Sequence, residues 1–271
     1  MLIHRRLVFP LLAIGLLNAM PATAMNCTAA SGERHVPLLE LYTSEGCDSC
    51  PPTDRWLSAL PGRGHGSDRV VALAFHVDYW DYIGWRDPYA QKHFTERQRQ
   101  IAARSGSRVI YTPQLVLNGR DYRRSSFRDD FAERAAEIHL QKPRAALKLA
   151  VQPAGGELVV SGSAVLTDAA GHPLAQTWLA LYENRLATEV KAGENRGKRL
   201  EHDFVVRDIV GPLPVEARGA AIAHRFRLDP RWKARDLGVA AFVQDIRSGD
   251  VLQALACTSG QNTLGAGSRP R

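Results

Sequence analysis

The sequence predicts an α/β domain in its first half and an antiparallel β-sandwich in its second half. Segments with strand and helix patterns alternate up to about residue 143, whereas the later apolar segments are short, strand-like and separated by turn residues. With 271 residues, the chain is long enough for two domains of ordinary size. We therefore expect an α/β domain over residues 25–143, a β-sandwich of immunoglobulin-like size over 144–258 and a disordered tail over 259–271.

The N-terminus has the layout of a secretory signal peptide. The basic pair Arg5-Arg6 precedes the apolar run Leu7–Leu17, and small residues follow at Pro21–Ala24. The apolar run is about half the length of a membrane-spanning helix, and no later segment approaches that length. We expect residues 1–24 to be removed and the mature protein to be periplasmic or secreted, without a membrane span.

The charge of the chain gives no sign of a nucleic-acid partner. The formal net charge is +7, but the basic residues are spread along the sequence and are not grouped with aromatic ones. We therefore expect partners other than DNA or RNA.

Four cysteines, Cys27, Cys47, Cys50 and Cys257, follow the predicted signal peptide. Four cysteines allow three pairings, and an oxidising compartment permits all of them. Their spacing favours a Cys47–Cys50 bond together with a structural Cys27–Cys257 bond, which would hold the two domains together. The alternative for the second pair is free or intermolecular thiols.

A parallel strand–helix–strand unit surrounds the close cysteine pair. Pro37–Thr43 is a short apolar segment that predicts a buried strand, and it leads through a turn to Cys47. A helix is predicted to start at about Cys50 and to stop at Pro61-Gly62. Arg69–Val77 is almost continuously apolar, which is typical of a strand covered on both faces.

The remaining elements of the first half continue this alternation. Asp87-Pro88 has the pattern of a helix N-cap followed by proline, and this helix is predicted to end near Ser105-Gly106. Tyr111–Gly119 predicts a strand that ends in an Asn-Gly turn, and a further helix ends near Leu140. Together with the Cys-x-x-Cys pair, this order of elements resembles a thioredoxin-like domain.

The Cys-x-x-Cys spacing indicates redox chemistry more than structural cross-linking. A disulfide across three residues closes a very small loop, so in the chain-entropy model it removes little freedom from the unfolded state. At the start of a helix, unpaired N–H groups and the helix dipole stabilise a thiolate. We therefore assign Cys47 as the attacking thiolate and Cys50 as the resolving cysteine.

Thr112-Pro113 is predicted to contain a cis peptide bond that faces the cysteine pair. In thioredoxin-like proteins, a cis proline before this strand presents backbone groups to an extended substrate, and the Thr-Pro position resembles that loop. His76, Asp78, Tyr79 and Trp80 follow the carboxyl end of the second parallel strand, where ligands of such sheets bind. We expect them to line the substrate site as well; the alternative is that the aromatic residues belong to the core and Asp78 caps a loop.

Glu40 lies among apolar neighbours in the first predicted strand, where a carboxylate is costly to bury unless it is paired or protonated. Thioredoxin-like proteins often have a buried acid beneath the cysteines that relays protons, and Glu40 is the candidate for this role. The alternative is an edge or outward-facing position.

Five segments carry a family resemblance: Leu39–Pro52, with the sequence LELYTSEGCDSCPP, Phe75–Trp85, Tyr111–Gln114, Glu189–Asn195 and His202–Arg207. They resemble an uncharacterised family of secreted thioredoxin-like proteins known as domain of unknown function 1223. The resemblance spans most of the mature chain. It implies a thioredoxin-like fold and leaves the function open, because the family has no settled activity.

The leading hypothesis for the function is an exported thiol-disulfide oxidoreductase that uses Cys47 and Cys50, without a cofactor, on protein thiols or disulfides in the periplasm. One alternative is a periplasmic protein that binds or delivers copper through Cys47, Cys50 and His76, because soft ions prefer such ligands. Another is a non-catalytic module whose sandwich binds a protein or a glycan. The sequence does not specify the substrate, the direction of electron flow or the oligomeric state.

Overall fold

Fifteen β-strands and three α-helices make up the part of the chain that this computed structural model describes, residues 25–123, 130–215, 219–259 and 262–263. The predicted signal peptide, residues 1–24, lies outside these residues, as does most of the predicted tail. No described helix has the length and apolar character needed to span a membrane. The elements of the first half are β1 (Cys27–Ala30), β2 (Leu38–Thr43), α1 (Pro51–Ser58), β3 (Val71–His76), α2 (Lys92–Arg104), β4 (Gln114–Leu117), β5 (Arg120–Tyr122) and α3 (Phe131–His139). Those of the second half are β6 (Ala145–Ala154), β7 (Glu157–Leu166), β8 (Ala175–Glu183), β9 (Leu186–Glu189), β10 (Arg199–His202), β11 (Val205–Pro214), β12 (Ala220–Arg227), β13 (Leu237–Asp245), β14 (Val251–Thr258) and β15 (Asn262–Thr263).

Strands from both halves of the chain form one eight-stranded sheet, in the order β14-β13-β8-β11-β3-β2-β4-β5. The two halves meet where β11 runs parallel to β3, with Val205 opposite Ala74. There the backbone N–H of Ala74 donates a hydrogen bond to the Phe204 carbonyl over 2.8 Å. The edge that β3 would otherwise present to solvent is therefore covered by the second half of the chain.

The predicted fold class, an α/β thioredoxin-like domain followed by a separate antiparallel β-sandwich, is wrong. The described chain is mostly β-structure, and the strands of its first half have no sheet of their own, because β8, β11, β13 and β14 continue that sheet. Local periodicity predicts strands but not their distant partners, so it carries no information about the pairing of β3 with β11. The division predicted near residue 143 falls between α3 and β6, and strands from both sides of it share the sheet.

A five-stranded sheet, in the order β12-β7-β6-β1-β15, packs on part of the eight-stranded sheet. Side chains alternate along β8, so that Leu179 and Leu181 point into a core that also contains Leu147 of β6. The Cys27–Cys257 disulfide joins β1 to β14 and therefore links the two sheets directly.

The helices lie on both faces of the eight-stranded sheet. Leu39 and Leu41 of β2 face a core that they share with Trp56 of α1 and Phe131 of α3. Tyr42 points to the opposite face, into the core that includes α2. This alternation decides which side chains of β2 can approach the cysteines at the start of α1.

The start of α1 agrees with the sequence prediction, whereas the start of α2 does not. Cys50 is the N-cap residue of α1 and Pro51 its first residue, because proline is tolerated where its missing N–H would have no partner. The predicted start of α2 at Asp87-Pro88 is wrong, since this helix begins at Lys92. The Asp87 carboxylate accepts a hydrogen bond from His76 instead of capping the helix.

Candidate functional site

Cys47 and Cys50 form a disulfide at the N-terminal end of α1. Their Cα atoms are 5.4 Å apart, and both residues are buried. Asp48 and Ser49 between them are exposed, so the disulfide lies directly beneath the surface. The Ser49 hydroxyl is 3.4 Å from the Cys47 sulfur.

Trp80 connects the cysteine segment to the Thr112-Pro113 loop. The peptide bond between Thr112 and Pro113 is cis, as predicted, and the Trp80 indole N–H donates a hydrogen bond to the Thr112 hydroxyl over 2.7 Å. Gly46, directly before Cys47, packs so closely that an added Cβ would lie 2.9 Å from the Trp80 Cβ. The structure therefore brings Trp80, the cis-proline loop and the cysteine segment together.

Asp78 and Tyr79 contact α2 and the core on the same face of the sheet. The Asp78 carboxylate accepts a hydrogen bond from the Thr95 hydroxyl over 2.6 Å. Tyr79 packs against the core on the α2 face of the sheet, where burial raises the pKa of its hydroxyl. These contacts give both residues a structural role beside the substrate-binding role predicted from the sequence.

His76, the last residue of β3, is paired with Asp87 in a fully buried contact. Its Nδ1–H donates to Asp87 Oδ2 over 2.7 Å, and the same oxygen accepts the backbone N–H of Glu45 over 2.8 Å. Burial opposes the charged form of His76, but the Asp87 carboxylate outweighs it and raises the pKa of the imidazole. Burial likewise opposes ionisation of Asp87, and the His76 cation outweighs it and lowers the pKa of Asp87.

Glu45, two residues before Cys47, extends this buried network. One of its carboxylate oxygens lies 3.2 Å from Nε2 of His202 in β10, and the other accepts the Trp85 indole N–H over 2.9 Å. The rings of His76 and His202 are nearly perpendicular, with centroids 4.9 Å apart. Two histidine–carboxylate pairs thus lie behind the cysteine segment and contact each other.

Asp54 is a further buried acid, located on α1 one turn after Cys50. Its backbone N–H donates to the Cys50 carbonyl over 3.1 Å, and its side chain is buried. Burial raises the pKa of its carboxyl group above the ordinary value. A cavity of about 100 Å³ is lined by Pro51, Asp54 and His202 and by the charged residues Arg55, Arg199 and Glu201.

The β9–β10 hairpin, from the second half of the chain, holds the backbone of the cysteine segment. The amide nitrogen of the buried Asn195 donates two hydrogen bonds, to the Glu45 carbonyl over 2.8 Å and to the Cys47 carbonyl over 2.9 Å. The Lys198 ammonium donates in turn to Asn195 Oδ1 over 2.8 Å. One side chain therefore satisfies two backbone acceptors around the first cysteine.

Glu40 lies on the opposite face of the sheet from α1, because it alternates with Leu39 and Leu41 along β2. Its Oε1 accepts hydrogen bonds from Arg97 Nε over 2.7 Å and from the Tyr42 hydroxyl over 3.1 Å. This buried ion pair ties β2 to α2. The structure does not bring Glu40 to the cysteine pair.

The sequence interpretation missed five residues of the network, Glu45, Asp54, Asp87, Asn195 and His202. Glu45, Asn195 and His202 lie within the segments that carry the family resemblance, and this resemblance was the available signal. Asp54 and Asp87 have no such signal, because a carboxylate in the first turn of a helix or before a proline is also typical of an exposed cap.

The three residues proposed as copper ligands already have other partners in the structure. Cys47 and Cys50 form a disulfide, and His76 Nδ1 is hydrogen-bonded to the Asp87 carboxylate. Within the described ranges, no three histidine, cysteine, aspartate or glutamate side chains are grouped so that they could hold a metal ion.

Comparisons with known proteins address the family and the fold. Residues 38–244 match the family model described as "Protein of unknown function (DUF1223)". No curated protein matches the chain. The chain is similar to a crystal structure of a protein from Agrobacterium tumefaciens, with 24% sequence identity, a TM-score of 0.60 and coverage of 88% of this chain and 98% of that chain. It is also similar to HBP35 of Porphyromonas gingivalis, with 15% identity, a TM-score of 0.64 and coverage of 88% of this chain and 80% of that chain.

At these identities the two solved structures show a shared fold and nothing about activity. The family model, in contrast, matches most of the chain, including the cysteine pair and the β9–β10 hairpin. This protein belongs to the DUF1223 family.

Proposed function

We propose that the protein is an exported thiol-disulfide oxidoreductase whose redox centre is the Cys47–Cys50 disulfide. The observation that carries the proposal is the position of this disulfide, at the N-terminus of α1, directly beneath the surface and in front of a buried histidine–carboxylate network. Disulfide exchange needs a stabilised thiolate and a second sulfur within reach. The helix N-terminus supports the first requirement, and the Cys-x-x-Cys spacing supports the second.

The two disulfides of the chain differ in what they contribute to folding. The cysteines of the Cys27–Cys257 bond are 230 residues apart, and in the chain-entropy model such a bond stabilises the fold by about 5 kcal/mol. The cysteines of the Cys47–Cys50 bond are 3 residues apart, and the same model gives only about 2 kcal/mol. The short disulfide is a weak cross-link, which favours a chemical role for it.

Exchange proceeds through a mixed disulfide at Cys47. A substrate thiolate attacks the Cys47 sulfur, the Cys47–Cys50 bond breaks, and Cys50 leaves as a thiolate at the positive end of the α1 dipole. A second substrate thiol then attacks the mixed disulfide. The substrate leaves oxidised by two electrons, and the cysteine pair is reduced; the reverse sequence reduces a substrate disulfide.

Protein thiols and disulfides are the substrates that the surroundings of the disulfide favour. Trp80 and the Thr112-Pro113 loop adjoin the cysteine segment, and a cleft of about 380 Å³ is lined by Pro113 together with Thr53 and Leu115. This mixed polar and apolar lining suits a peptide side chain beside the cis-proline loop.

An oxidising compartment is the place where this chemistry is expected. Residues 1–24 have the layout of an export signal, and the chain contains two disulfides in its described part. We therefore place the protein in the periplasm or outside the cell.

The variant Cys50→Ser tests the proposal, because it keeps the attacking cysteine and removes the resolving one. Mixed with glutathione disulfide, the reduced variant should form a stable glutathione adduct at Cys47, located by mass spectrometry of its peptides. The matched variant Cys47→Ser should form an adduct at Cys50 at least about tenfold more slowly, because Cys50 has no exposed surface. Absence of an adduct in both variants would show that the pair is not an exchange centre.

A further inference from the structure

Most backbone N–H groups around Cys47 already donate to oxygen atoms of the protein. The Cys47 N–H donates to the Ser44 carbonyl over 3.1 Å, and the Cys50 N–H donates to the Cys47 carbonyl over 3.3 Å. The Asp48 N–H donates to a carboxylate oxygen of Glu194 over 3.3 Å. A thiolate can use these donors only after an existing hydrogen bond is broken, which costs free energy.

The first turn of α1 supplies few further donors to the first cysteine. Pro51-Pro52 has no N–H groups, and the N–H groups of Thr53 and Asp54 donate to the Cys50 carbonyl over 2.9 and 3.1 Å. Among the described residues of this stretch, Ser49 provides the remaining donors, its backbone N–H and its hydroxyl, which is 3.4 Å from the sulfur of the first cysteine. A thiolate at that sulfur therefore has few hydrogen-bond donors.

Several carboxylates lie close to the Cys47 backbone. Asp48 follows Cys47 directly and is exposed, Glu45 precedes it by two residues, and Glu194 reaches the Asp48 N–H from the β9–β10 hairpin. The Lys198 ammonium of the same hairpin is a countercharge, and it is hydrogen-bonded to the amide that holds the cysteine segment. The two buried histidine–carboxylate pairs lie behind this segment. Negative charge beside a thiol opposes its ionisation, because like charges repel.

We propose that the cysteine pair works as a reductant of substrate disulfides and that Glu194 favours this direction; the inference rests on the proposed redox function. A dithiol–disulfide pair is a strong oxidant when its reduced form is stabilised, as a strongly favoured thiolate does. Here the α1 dipole favours the thiolate, whereas the occupied N–H groups and the neighbouring carboxylates oppose it. The reduced pair gains little stability from ionisation, so it passes its electrons to other disulfides.

The reductive exchange is balanced without a cofactor. The Cys47 thiolate attacks one sulfur of the substrate disulfide, that bond breaks, and the other substrate sulfur leaves with the electron pair. Cys50 then attacks Cys47, which forms the Cys47–Cys50 bond and releases the second substrate sulfur. The two thiol protons of the pair pass through solvent to the two substrate sulfurs. A dithiol of a second protein reduces the pair again by the same exchange.

The first test is the pH dependence of alkylation at Cys47, which reports how readily its thiolate forms. In the reduced Cys50→Ser variant, iodoacetamide should react with Cys47 at half its maximal rate above about pH 6, and peptide mapping locates the modified residue. A half-maximal rate at a lower pH would mean a strongly stabilised thiolate, as in dithiol oxidants, and would overturn the proposal.

The second test is Glu194→Gln in the same background, which removes a charge and keeps an oxygen acceptor for the Asp48 N–H. The alkylation rate of Cys47 at pH 7 should rise about two- to fourfold, because loss of one exposed like charge increases the thiolate population by such a factor. The control Glu189→Gln changes an exposed acid of the same hairpin that is paired with an arginine, and it should alter the rate by less than about 1.5-fold. An unchanged rate in Glu194→Gln would overturn the role of this residue.

The direction of electron flow is measured with the wild-type protein in two assays. The protein should accelerate the reduction of insulin disulfides by dithiothreitol, and it should not accelerate the oxidation of a reduced dithiol peptide by glutathione disulfide. Acceleration of the oxidation, or of neither reaction, would overturn the reductant role. The glutathione adduct of Cys50→Ser tests the redox centre separately, so an adduct together with acceleration of the oxidation would overturn the direction and leave the proposed function standing.

Discussion

The buried carboxyl group of Asp54 contributes less to the stability of the folded protein at neutral pH than at low pH. Burial raises its folded-state pKa above the ordinary value of 3.8, so the folded chain holds this proton over a range in which the unfolded chain has lost it. The contribution of this group to stability is fully present below 3.8. It is lost as the pH rises through the folded-state pKa.

Asp54→Asn should therefore raise the free energy of unfolding at alkaline pH, since asparagine resembles the protonated acid at every pH. Each pKa unit between the folded and unfolded states corresponds to about 1.4 kcal/mol. Guanidinium unfolding of the oxidised protein at a series of pH values measures the difference from wild type, which should shrink as the pH falls towards 4. The exposed Asp48→Asn serves as the control. A difference that does not vary with pH would contradict the burial of an ionisable carboxyl group.

At the scale of single residues, the sequence identifies the cysteine pair but not the acid that accompanies it. Cys47 and Cys50 are recognisable because their chemistry depends on a local spacing. Glu40 and Asp54 are both acids in partly apolar surroundings, and the face of the sheet or helix that each occupies depends on tertiary packing. The sequence therefore points to a buried acid in β2, and tertiary packing puts this acid on the face of the sheet that contacts α2.

Among the elements, the β9–β10 hairpin has the clearest role in the site, and Asn195 is its main contact. Asn195→Ala would remove a donor from the buried carbonyls of Glu45 and Cys47, of which only Cys47 keeps another, the Cys50 N–H at 3.3 Å; a buried acceptor left without a partner costs about 1–3 kcal/mol. We expect the free energy of unfolding to fall by about 2–4 kcal/mol and the cysteine segment to exchange its amide hydrogens faster.

Guanidinium unfolding and hydrogen exchange measure these two effects. Glu194→Gln, on the same loop but exposed, should change the free energy of unfolding by less than about 0.5 kcal/mol. Equal stability of Asn195→Ala and the control would mean that the hairpin does not hold the cysteine segment.

The elements near the cysteines were predictable, whereas the hairpin contact was not. The positions of β2, α1 and β3 follow from apolar runs and from proline and glycine signals that act over a few residues. Asn195 reaches Cys47 across 148 residues of sequence, and no local pattern specifies such a contact. The family resemblance at Glu189–Asn195 marks this segment without explaining it.

For the whole molecule, the Cys27–Cys257 bond should be the more stabilising of the two disulfides. Replacing both of its cysteines with alanine should lower the free energy of unfolding by up to about 5 kcal/mol, because the unfolded chain regains the freedom of a very long loop. Replacing Cys47 and Cys50 with alanine should cost only about 2 kcal/mol. Guanidinium unfolding of the two double variants compares them, and the opposite order would assign the short disulfide a structural role.

The arrangement of the sheets is where sequence reasoning fails for the molecule as a whole. The local sequence pattern and the secondary structure both change after residue 143, since the α-helices of the described chain precede it and β6 to β14 follow. However, β11 returns to β3, so strands from both halves share one sheet and the Cys27–Cys257 bond links this sheet to the other. A change in local pattern along a chain does not locate the partners of its strands.

The reduction potential of the Cys47–Cys50 pair tests the central claim most directly. Equilibrating the protein with glutathione buffers and alkylating the free thiols, with peptide mapping to separate this pair from Cys27–Cys257, gives the value. We expect a potential between roughly −120 and −270 mV, the range of dithiol enzymes, with the position in that range indicating the direction of electron flow. A bond that stays closed below about −300 mV would be a structural disulfide and would contradict the proposed function.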